Sequence, residues 1–335
     1  MAGSAEAAPK WAIAVHGGAG VISRDDLTKD QEAAYRDGLE EAARAGGKVL
    51  ERGGSALDAV EAAVRVLEDN PLFNAGKGAV FTADGHNQLD AAIMDGRNLK
   101  AGAVTGVMRT KNPISLARKV MEDSPHVMLS GEGADAFARQ EGLQQVDPSY
   151  FFTETRWKSL LRALDEQGLP EPKRPAGAGA GGPDKREGLA IDEGRKHGTV
   201  GAVAVDIRGD VAAATSTGGL TAKRWGRIGD SPIIGAGTYA SNDSCAVSGT
   251  GAGEYFIRLT VARTVCALVE MKKMKLQDAV DEVVHKRLEK LGGDGGVIAV
   301  TPDRKIAWSF NTRGMYRARL EDGGKLVTGI YKDDP

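Results

Sequence analysis

Residues 198–206 mark the sharpest boundary in this chain, because a strand-like run begins directly after a segment that cannot build a core. Residues 168–194 (GLPEPKRPAGAGAGGPDKREGLAIDEG) consist mainly of Pro, Gly, Ala and charged residues. Such a segment buries too little apolar surface to offset the entropy of ordering it, so we predict a mobile surface linker over about 168–194. Residues 199–206 (TVGAVAVD) instead show the continuous apolar pattern of a buried strand.

The Gly198–Thr199 bond lies at this boundary and has the residue types that self-cleavage requires. Gly198 has no Cβ and tolerates the strained backbone that attack by the next residue demands. Attack by the Thr199 hydroxyl on the Gly198 carbonyl would leave a chain that begins with threonine. Its α-amine, with a pKa of about 7.7–8.0, can then serve as general base for its own hydroxyl. Taken alone, the Gly-Thr pair is more typical of an ordinary strand start.

The rest of the chain alternates between strand-like and helix-like patterns, with a tight loop predicted at 17–20. Predicted strands cover residues 10–16, 79–82, 89–94, 103–108, 199–206, 211–217, 245–247, 297–301 and 305–310. Predicted helices cover residues 30–52, a segment capped by Ser55, and residues 113–122, 133–140, 154–166, 254–271 and 276–291. Consecutive strand pairs and separate helix pairs predict an α+β fold, with antiparallel sheets packed together and helices outside.

Composition excludes several classes of protein. The 335 residues carry a net charge of −2 with scattered basic residues, which disfavours nucleic-acid and membrane binding. The N-terminus has no apolar signal-like segment, and no run approaches transmembrane length. Two cysteines are too few for a disulfide framework or a Cys-rich metal site, and the five histidines show no ligand spacing. We therefore expect a cytoplasmic protein in a reducing compartment.

Ten short motifs occur in order along the chain. They are residues 11–20 (WAIAVHGGAG), 71–78 (PLFNAGKG), 89–96 (LDAAIMDG), 112–117 (NPISLA), 198–204 (GTVGAVA), 214–219 (ATSTGG), 226–230 (GRIGD), 235–240 (GAGTYA), 247–251 (VSGTG) and 310–315 (FNTRGM). Together they resemble the isoaspartyl peptidase/L-asparaginase family, the plant-type asparaginases among the N-terminal-nucleophile threonine hydrolases. The resemblance covers nearly the whole chain except the first ten residues and the predicted linker.

The resemblance implies a fold, an activity and an assembly. The fold is a four-layer αββα sandwich in one domain, 1–335, which cuts itself into an alpha subunit (1–198) and a beta subunit (199–335). The activity is hydrolysis of asparagine and β-aspartyl dipeptides to aspartate without an organic cofactor, with Thr199 as the nucleophile. Two cleaved chains would form an (αβ)2 assembly. A glycosylasparaginase-like or taspase-like hydrolase is the alternative within this fold, and a non-cleaving module that binds a ligand through its glycine loops is the alternative outside it.

Thr217 ends the predicted strand 211–217 and lies beside Thr199 if the two strands pair. Its hydroxyl can then hydrogen-bond the Thr199 hydroxyl or amine, and the matching threonine of the resembled family has this position. An ordinary cross-strand hydroxyl shows the same pattern. We expect Thr215 to point to the other face of the strand.

Arg227 and Asp230 lie three residues apart in a loop whose glycines let the backbone approach a ligand. A guanidinium suits bidentate binding of an α-carboxylate and a carboxylate suits an α-ammonium, so the pair fits an amino-acid zwitterion. A local Arg–Asp ion pair is the alternative. The resemblance adds Ile228 and Gly229 to the substrate-binding set.

Residues 250–253 (TGAG) follow an apolar strand and open a helix, where backbone N–H groups stabilise negative charge. The Thr250 hydroxyl and the Gly251 N–H can form an oxyanion hole. The resemblance implies that Ala252 and Gly253 also contact the substrate. A glycine-rich cap that lets the helix pack closely would have the same sequence.

Further features are predicted mainly from the resemblance. Asn74 matches an asparagine near the nucleophile, and the 67–75 loop matches one that binds a structural sodium ion through backbone carbonyls. The glycine loop that begins at His16 matches one beside the cleavage site, and it also fits a phosphate-cradling turn. His197 would leave with the first fragment, and we interpret it as incidental.

Overall fold

The computed structural model describes residues 10–20, 22–178, 186–190 and 198–335, and within them the strands form two sheets. The larger sheet has the order β12-β11-β1-β5-β6-β2-β3-β4. Its strands are β1 (Ala12–Gly20), β2 (Leu89–Asp95), β3 (Ala101–Val107), β4 (Met128–Ser130), β5 (Val200–Val205), β6 (Val211–Thr217), β11 (Gly314–Glu321) and β12 (Val327–Tyr331). The smaller sheet, in the order β10-β9-β8-β7, consists of β7 (Thr238–Ala240), β8 (Ala246–Gly251), β9 (Gly295–Val300) and β10 (Ile306–Phe310). The β3–β4 pair is parallel and the other pairs are antiparallel.

β5 lies in the middle of the larger sheet, between β1 and β6. Every residue of this strand is buried, which explains why its sequence is continuously apolar rather than alternating. The register places Gly201 opposite His16 on one side and opposite Thr215 on the other. β5 therefore brings the residues that follow the Gly198–Thr199 bond into the centre of the molecule.

The two sheets pack face to face through small and β-branched side chains. Ala12, Ala14 and Val203 of the larger sheet share one buried cluster with Ile298 and Val300 of the smaller sheet. Ala and Val side chains have little bulk, so the strands of the two sheets approach closely along this face.

Helices cover the outer faces of the sheets. α1 (Lys29–Glu51), α2 (Ala56–Glu68) and α3 (Pro113–Asp123) contact the larger sheet, and α4 (Gly131–Gln140) contacts its β3–β4 edge. α7 (Val261–Lys272) and α8 (Leu276–Asp281) contact the smaller sheet. The remaining helices of the described residues are α5 (Glu154–Glu166), α6 (Gly253–Leu259) and α9 (Glu289–Leu291), with short 3-10 turns at Arg24–Asp26, Gly76–Gly78, Pro148–Phe151 and Glu187–Leu189.

Helix starts follow the capping chemistry of the sequence. The Ser55 side chain accepts a hydrogen bond from the Asp58 N–H at the start of α2, as predicted, and Thr28 and Gln31 form a capping box at the start of α1. None of the helices in the described ranges is long and apolar enough to cross a membrane.

Several predicted elements differ from the structure. The helix predicted over 254–271 is interrupted at Thr260, whose φ of 45° lies in the left-handed region and separates α6 from α7. The helix predicted over 276–291 contains a π-helical segment, Glu282–Leu288, between α8 and α9. Residues 79–82 form no strand but a single bridge between Thr82 and Lys223. The predicted loop 17–20 continues β1 past a register shift between His16 and Gly18, which removes one of the glycine loops from the ligand-binding alternative.

Cys245 and Cys266 form a disulfide between the residue before β8 and α7, with their Cα atoms 5.4 Å apart. One disulfide is compatible with the prediction that two cysteines are too few for a disulfide framework. Disulfides are uncommon in reducing compartments, so the bond and the expected cytoplasmic location favour opposite conclusions.

The predicted linker 168–194 lies only partly within the described residues. Residues 179–185 and 191–194 fall outside them, as does His197. The mobility of the linker stays a prediction.

Candidate active site

Thr199 and Thr217 meet at the ends of β5 and β6. Val200 is paired with Ser216, so the antiparallel register places the next residues of the two strands, Thr199 and Thr217, opposite each other. The Thr199 hydroxyl donates a hydrogen bond of 3.0 Å to the Thr217 hydroxyl oxygen, and both residues are buried. The structure thus brings together the two threonines that the sequence singled out.

A turn after β6 holds the Thr217 hydroxyl in place. The Gly219 N–H donates to Thr217 Oγ1 over 2.9 Å. Asn74 supports this turn, because its Nδ2 donates to the Gly219 carbonyl over 2.8 Å and its backbone carbonyl accepts from the Gly218 N–H over 3.1 Å. Its Oδ1 accepts from the Val80 N–H over 2.9 Å. Asn74 therefore lies behind Thr217 and fixes the backbone on which Thr217 depends.

Thr199 opens onto a small cavity that is lined by five of the other candidate residues. The cavity has a volume of about 10 Å³, and its lining consists of Thr199, Thr217, Gly219, Leu220, Arg227, Gly229, Asp230, Ser231 and Gly251. That volume is roughly what one water molecule needs, far less than an amino acid needs. Gly198 is buried and still bonded to Thr199. In the uncut chain, nucleophile and binding residues are assembled without room for a substrate.

Arg227 has an ion-pair partner that sequence reasoning missed. Its Nε and Nη2 atoms donate to the two carboxylate oxygens of Glu254, over 2.9 and 3.0 Å. This is the bidentate geometry in which a guanidinium binds any carboxylate, including that of an amino acid. Glu254 is the second residue of α6, and acidic residues are common in the first turn of a helix, so its sequence position carried no signal of this role.

Asp230 and Gly253 lie directly beside Arg227. A Cβ atom added to Gly253 would lie 2.8 Å from Arg227 Nη2 and 3.0 Å from both the backbone N and Oδ1 of Asp230. A Cβ atom added to Gly229 would lie 2.8 Å from Arg227 Nη1. Glycine at both positions leaves the space in which the guanidinium and the carboxyl group approach each other.

Thr250 and Gly251 end β8 on the far side of Thr199. Thr250 is fully buried, and the Ala19 N–H donates to its hydroxyl over a long 3.4 Å. Gly251 lines the cavity and Thr250 is absent from its lining, so the oxyanion hole stays a prediction. Ala252 is the N-cap of α6, and its N–H donates to the Asp294 carbonyl over 2.9 Å. Four of the predicted binding residues line the cavity, and the other four do not: Ile228, Thr250, Ala252 and Gly253. Of these, Ile228 is 41% exposed.

His16 lies beside the cleavage site, as the resemblance implied for its loop, but its contact with Thr199 was not predicted. Its Nδ1 lies 3.0 Å from the Thr199 carbonyl oxygen, and its Nε2 lies 2.9 Å from the Ser248 hydroxyl. Complete burial lowers the pKa of His16 to about 3, so the ring is neutral at physiological pH. His16 thus contacts Thr199, the candidate nucleophile, directly.

Thr215 corrects one of our predictions. Its hydroxyl lies 2.7 Å from the Ser248 hydroxyl of the smaller sheet, so it faces the same interior as Thr217. Thr215 and Thr217 are two residues apart in a strand and must share a face, so the expectation that they differ was wrong.

The 67–75 loop is surrounded by backbone carbonyl oxygens. A Cβ atom added to Gly76 would clash with the Glu68 carbonyl, and one added to Gly78 would clash with the carbonyls of Phe73 and Pro71. The buried Arg156 guanidinium donates to the Gly78 and Leu72 carbonyls, over 3.0 and 3.1 Å. Across the described ranges, no cluster of His, Cys, Asp and Glu could hold a metal ion.

The fold and this arrangement agree with what comparison with known proteins shows. A family model described as asparaginase matches residues 9–330, so the chain belongs to the asparaginase family. It is 50% identical over 324 residues to the isoaspartyl peptidase of Escherichia coli (strain K12), with 97% of each chain covered. It is also 42% identical over 321 residues to the plant-type L-asparaginase of Pyrococcus furiosus, with 94% of this chain and 97% of the relative covered. The predicted family is confirmed.

Proposed function

We propose that this chain is a threonine hydrolase that cuts itself before Thr199 and then releases aspartate from asparagine and from β-aspartyl dipeptides. The names of the relatives, isoaspartyl peptidase and plant-type L-asparaginase, support this substrate class. The observation that carries the proposal is the position of Thr199, which is hydrogen-bonded to Thr217 and shares a cavity with Arg227, Asp230 and Gly251.

Self-cleavage comes first in this proposal. The Thr199 hydroxyl attacks the Gly198 carbonyl carbon, the peptide bond breaks in favour of an ester, and the amine of Thr199 takes up the proton. Water then hydrolyses the ester and leaves a carboxylate on Gly198. The small volume of the cavity supports this order, because a substrate can enter only after Gly198 has moved away.

Hydrolysis of the substrate repeats the same attack. The free Thr199 amine removes the hydroxyl proton, and the oxygen attacks the side-chain carbonyl of the substrate. The Thr250 hydroxyl and the Gly251 N–H stabilise the oxyanion, the protonated amine supplies the leaving ammonia or amine with its proton, and water releases aspartate. Arg227 binds the α-carboxylate and Asp230 the α-ammonium, which requires Glu254 to release the guanidinium.

The finer structural predictions belong to the same proposal. Two sheets in contact, each with helices on its outer face, support the four-layer αββα sandwich. Strands β1 to β4 come from 1–198 and β5 to β12 from 199–335, so both fragments contribute to the larger sheet and would stay together after cleavage. The (αβ)2 assembly and a cytoplasmic location stay predictions.

A structural sodium ion in the 67–75 loop also stays a prediction. The carbonyl oxygens of Glu68, Pro71 and Phe73 lie close to Gly76 and Gly78. Carbonyl oxygens are the type of donor that hard cations bind. These carbonyl oxygens would be the donors to such an ion, which would hold the loop that carries Asn74. No chemical step runs through it.

Intact-mass analysis of three variants tests the proposal. We expect the wild-type chain to yield two fragments, the second beginning at Thr199, and to release aspartate from asparagine and β-Asp-Leu. Thr199→Ser keeps a hydroxyl and should cut and turn over more slowly, since serine lacks the β-branch that restricts χ1. Thr199→Ala should remain one chain of about 35.1 kDa without activity.

Cleavage or hydrolysis by Thr199→Ala would contradict the mechanism. An uncut and inactive wild-type chain would favour the ligand-binding alternative. Fragments without activity on either substrate, but with activity on a glycosylated asparagine or a protein substrate, would favour the glycosylasparaginase-like or taspase-like alternative.

A further inference from the structure

A chain of buried hydrogen bonds runs between the two sheets and ends at the nucleophilic residue. The Thr238 hydroxyl lies 2.7 Å from that of Thr215, which lies 2.7 Å from that of Ser248. Ser248 is 2.9 Å from His16 Nε2, and His16 Nδ1 is 3.0 Å from the Thr199 carbonyl oxygen. His16 and Thr215 belong to the larger sheet, whereas Ser248 and Thr238 belong to the smaller one.

The chemistry of the end group determines the direction of every bond in this chain. A carbonyl oxygen only accepts, so His16 Nδ1 must carry the proton that reaches Thr199. The neutral ring has a single N–H, so its Nε2 accepts and Ser248 must donate. The Ser248 oxygen then accepts from Thr215, whose other acceptor, the Gly237 carbonyl, lies farther away at 3.2 Å. The result is one tautomer of His16, with its only donor aimed at Thr199.

Gly201 provides the space in which this chain forms. It lies in β5 between His16 of β1 and Thr215 of β6, in register with both. A Cβ atom on Gly201 would clash with the Ser248 hydroxyl and would lie only 2.5 Å from His16 Nε2. Three adjacent strands thus combine a histidine, a glycine and a threonine so that Ser248 of the facing sheet can bind both side chains.

Thr199 needs such an anchor most after self-cleavage. It then becomes the first residue of its fragment and precedes β5, so one of its two covalent connections has been lost. Free rotation of this residue would spread the hydroxyl and the amine over many positions, and fixing them costs conformational entropy. A fixed carbonyl restricts the rotation next to the Thr199 Cα, which carries both groups.

We propose that His16 is a positioning residue, which holds the Thr199 carbonyl through Nδ1–H and so keeps the terminal nucleophile in its attacking geometry. Ser248 sets the tautomer that makes this donor available. The proposal rests on the proposed function, since it assigns a role to His16 in the same reaction.

A matched pair of substitutions separates the anchor from simple space filling. In His16→Asn, the side-chain amide nitrogen takes the position of Nδ1 and can still donate to the Thr199 carbonyl. In His16→Gln, the amide nitrogen takes the position of Nε2 and reaches Ser248 instead. Ser248→Ala, the least disruptive change, frees the ring to adopt the other tautomer.

The experiment measures the self-cleavage rate of each variant and kcat and KM of each mature form with asparagine and β-Asp-Leu. We expect His16→Gln to lower the cleavage rate and kcat about 10- to 100-fold, with KM within about twofold, because misplacement by about 1 Å affects the chemical step. His16→Asn should stay within about threefold of the wild type, and Ser248→Ala should fall between them.

Each outcome bears on one proposal. If the wild type cuts and turns over but His16→Gln does so equally fast, the positioning role is wrong. If His16→Asn loses as much activity as His16→Gln, or if KM changes instead of kcat, the ring only fills space. A wild type that neither cuts nor releases aspartate overturns the proposed function itself, irrespective of His16.

Discussion

The two halves of the candidate site are held by different forces. The nucleophile half, Thr199 with Thr217 and His16, is buried and held by neutral hydrogen bonds between strands. The recognition half centres on Arg227, whose charge is paired with Glu254, a side chain that is 57% exposed. Neutral bonds in the core need no partner exchange, whereas in the proposed function the guanidinium exchanges Glu254 for the carboxylate of the substrate.

Buried neutral hydrogen bonds and exposed ion pairs suit different roles in the site. Buried neutral bonds are insensitive to salt and keep the reacting atoms in place before a substrate arrives. Exposed ion pairs contribute about 0–1 kcal/mol and are screened by salt, so they can be displaced at little cost. We therefore expect changes in the nucleophile half to alter kcat and changes in the recognition half to alter KM.

The largest effect is expected from Thr217→Val, which keeps the β-branched shape and removes the hydroxyl. The Thr199 hydroxyl and the Gly219 N–H both lose their acceptor, so kcat should fall about 100- to 1,000-fold with little change in KM. Thr217→Ser, the control, should recover most of the activity. Steady-state kinetics on the cleaved protein measure both values, and a change confined to KM would break the proposed division.

Arg227→Gln should have the next largest effect, on the other parameter. Loss of the charge-assisted bidentate contact should raise KM about 10- to 100-fold, with kcat changed less. Arg227→Lys keeps the charge without the planar fork and should show an intermediate KM. The wild-type KM should also rise with salt concentration, whereas the loss of kcat in Thr217→Val should not depend on salt. A fall in kcat alone in Arg227→Gln would place Arg227 in the nucleophile half.

Burial of His16 predicts a pH dependence of stability. In the folded chain the pKa of His16 is about 3, below the ordinary value of 6.5, so a proton binds the unfolded chain more strongly. The free energy of unfolding therefore decreases as the pH falls from 6.5 towards 3. In the uncut Thr199→Ala background, adding His16→Asn removes this loss. The unfolding free energy of the His16 form, relative to the Asn form, should be about 2 kcal/mol lower at pH 5 than at pH 7.5.

Urea unfolding at the two pH values gives this difference, because other titrating groups are common to both chains. A difference that does not change with pH would show that His16 has the same pKa in the folded and the unfolded chain. Burial would then not lower the pKa of His16.

Glu254→Gln should give the smallest effect. Removing the carboxylate that competes for Arg227 should lower KM about two- to fivefold, in line with the free energy of an exposed ion pair, and leave kcat unchanged. Glu40→Gln is a matched control, since Glu40 also pairs with an arginine, Arg44, on α1 at the outer face of the larger sheet. If KM rises in Glu254→Gln, the carboxylate orients Arg227 for substrate rather than competing with it.

Sequence patterns predicted those parts of the fold whose causes are local. β6 over 211–217 and α5 over 154–166 have the predicted bounds, because each follows from a continuous apolar or helical pattern with a clear cap or turn. The break at Thr260 was missed, since a single left-handed residue leaves the apolar pattern of the helix unchanged. β11 and β12 were missed too, and in β11 the charged Arg317 and Arg319 interrupt the apolar pattern.

In the candidate site, too, contacts with local causes were predicted and long-range contacts were not. Thr199 and Thr217 were predicted to meet, because two consecutive strands joined by a short turn bring their far ends together. The pairing of Arg227 with Glu254 depends on where α6 starts relative to the 226–230 loop, 27 residues earlier in the chain. No local pattern reports that distance.

The family, the candidate nucleophile and its neighbour on the next strand could be predicted from the sequence, since these depend on motifs and on short-range pairing. The contacts of His16 could be seen only in the tertiary structure. His16 is 183 residues from Thr199 in the chain and 232 residues from Ser248. Contacts of this kind arise when two sheets face each other over a glycine. Their physical cause is the packing of the whole molecule rather than the chemistry of any one segment.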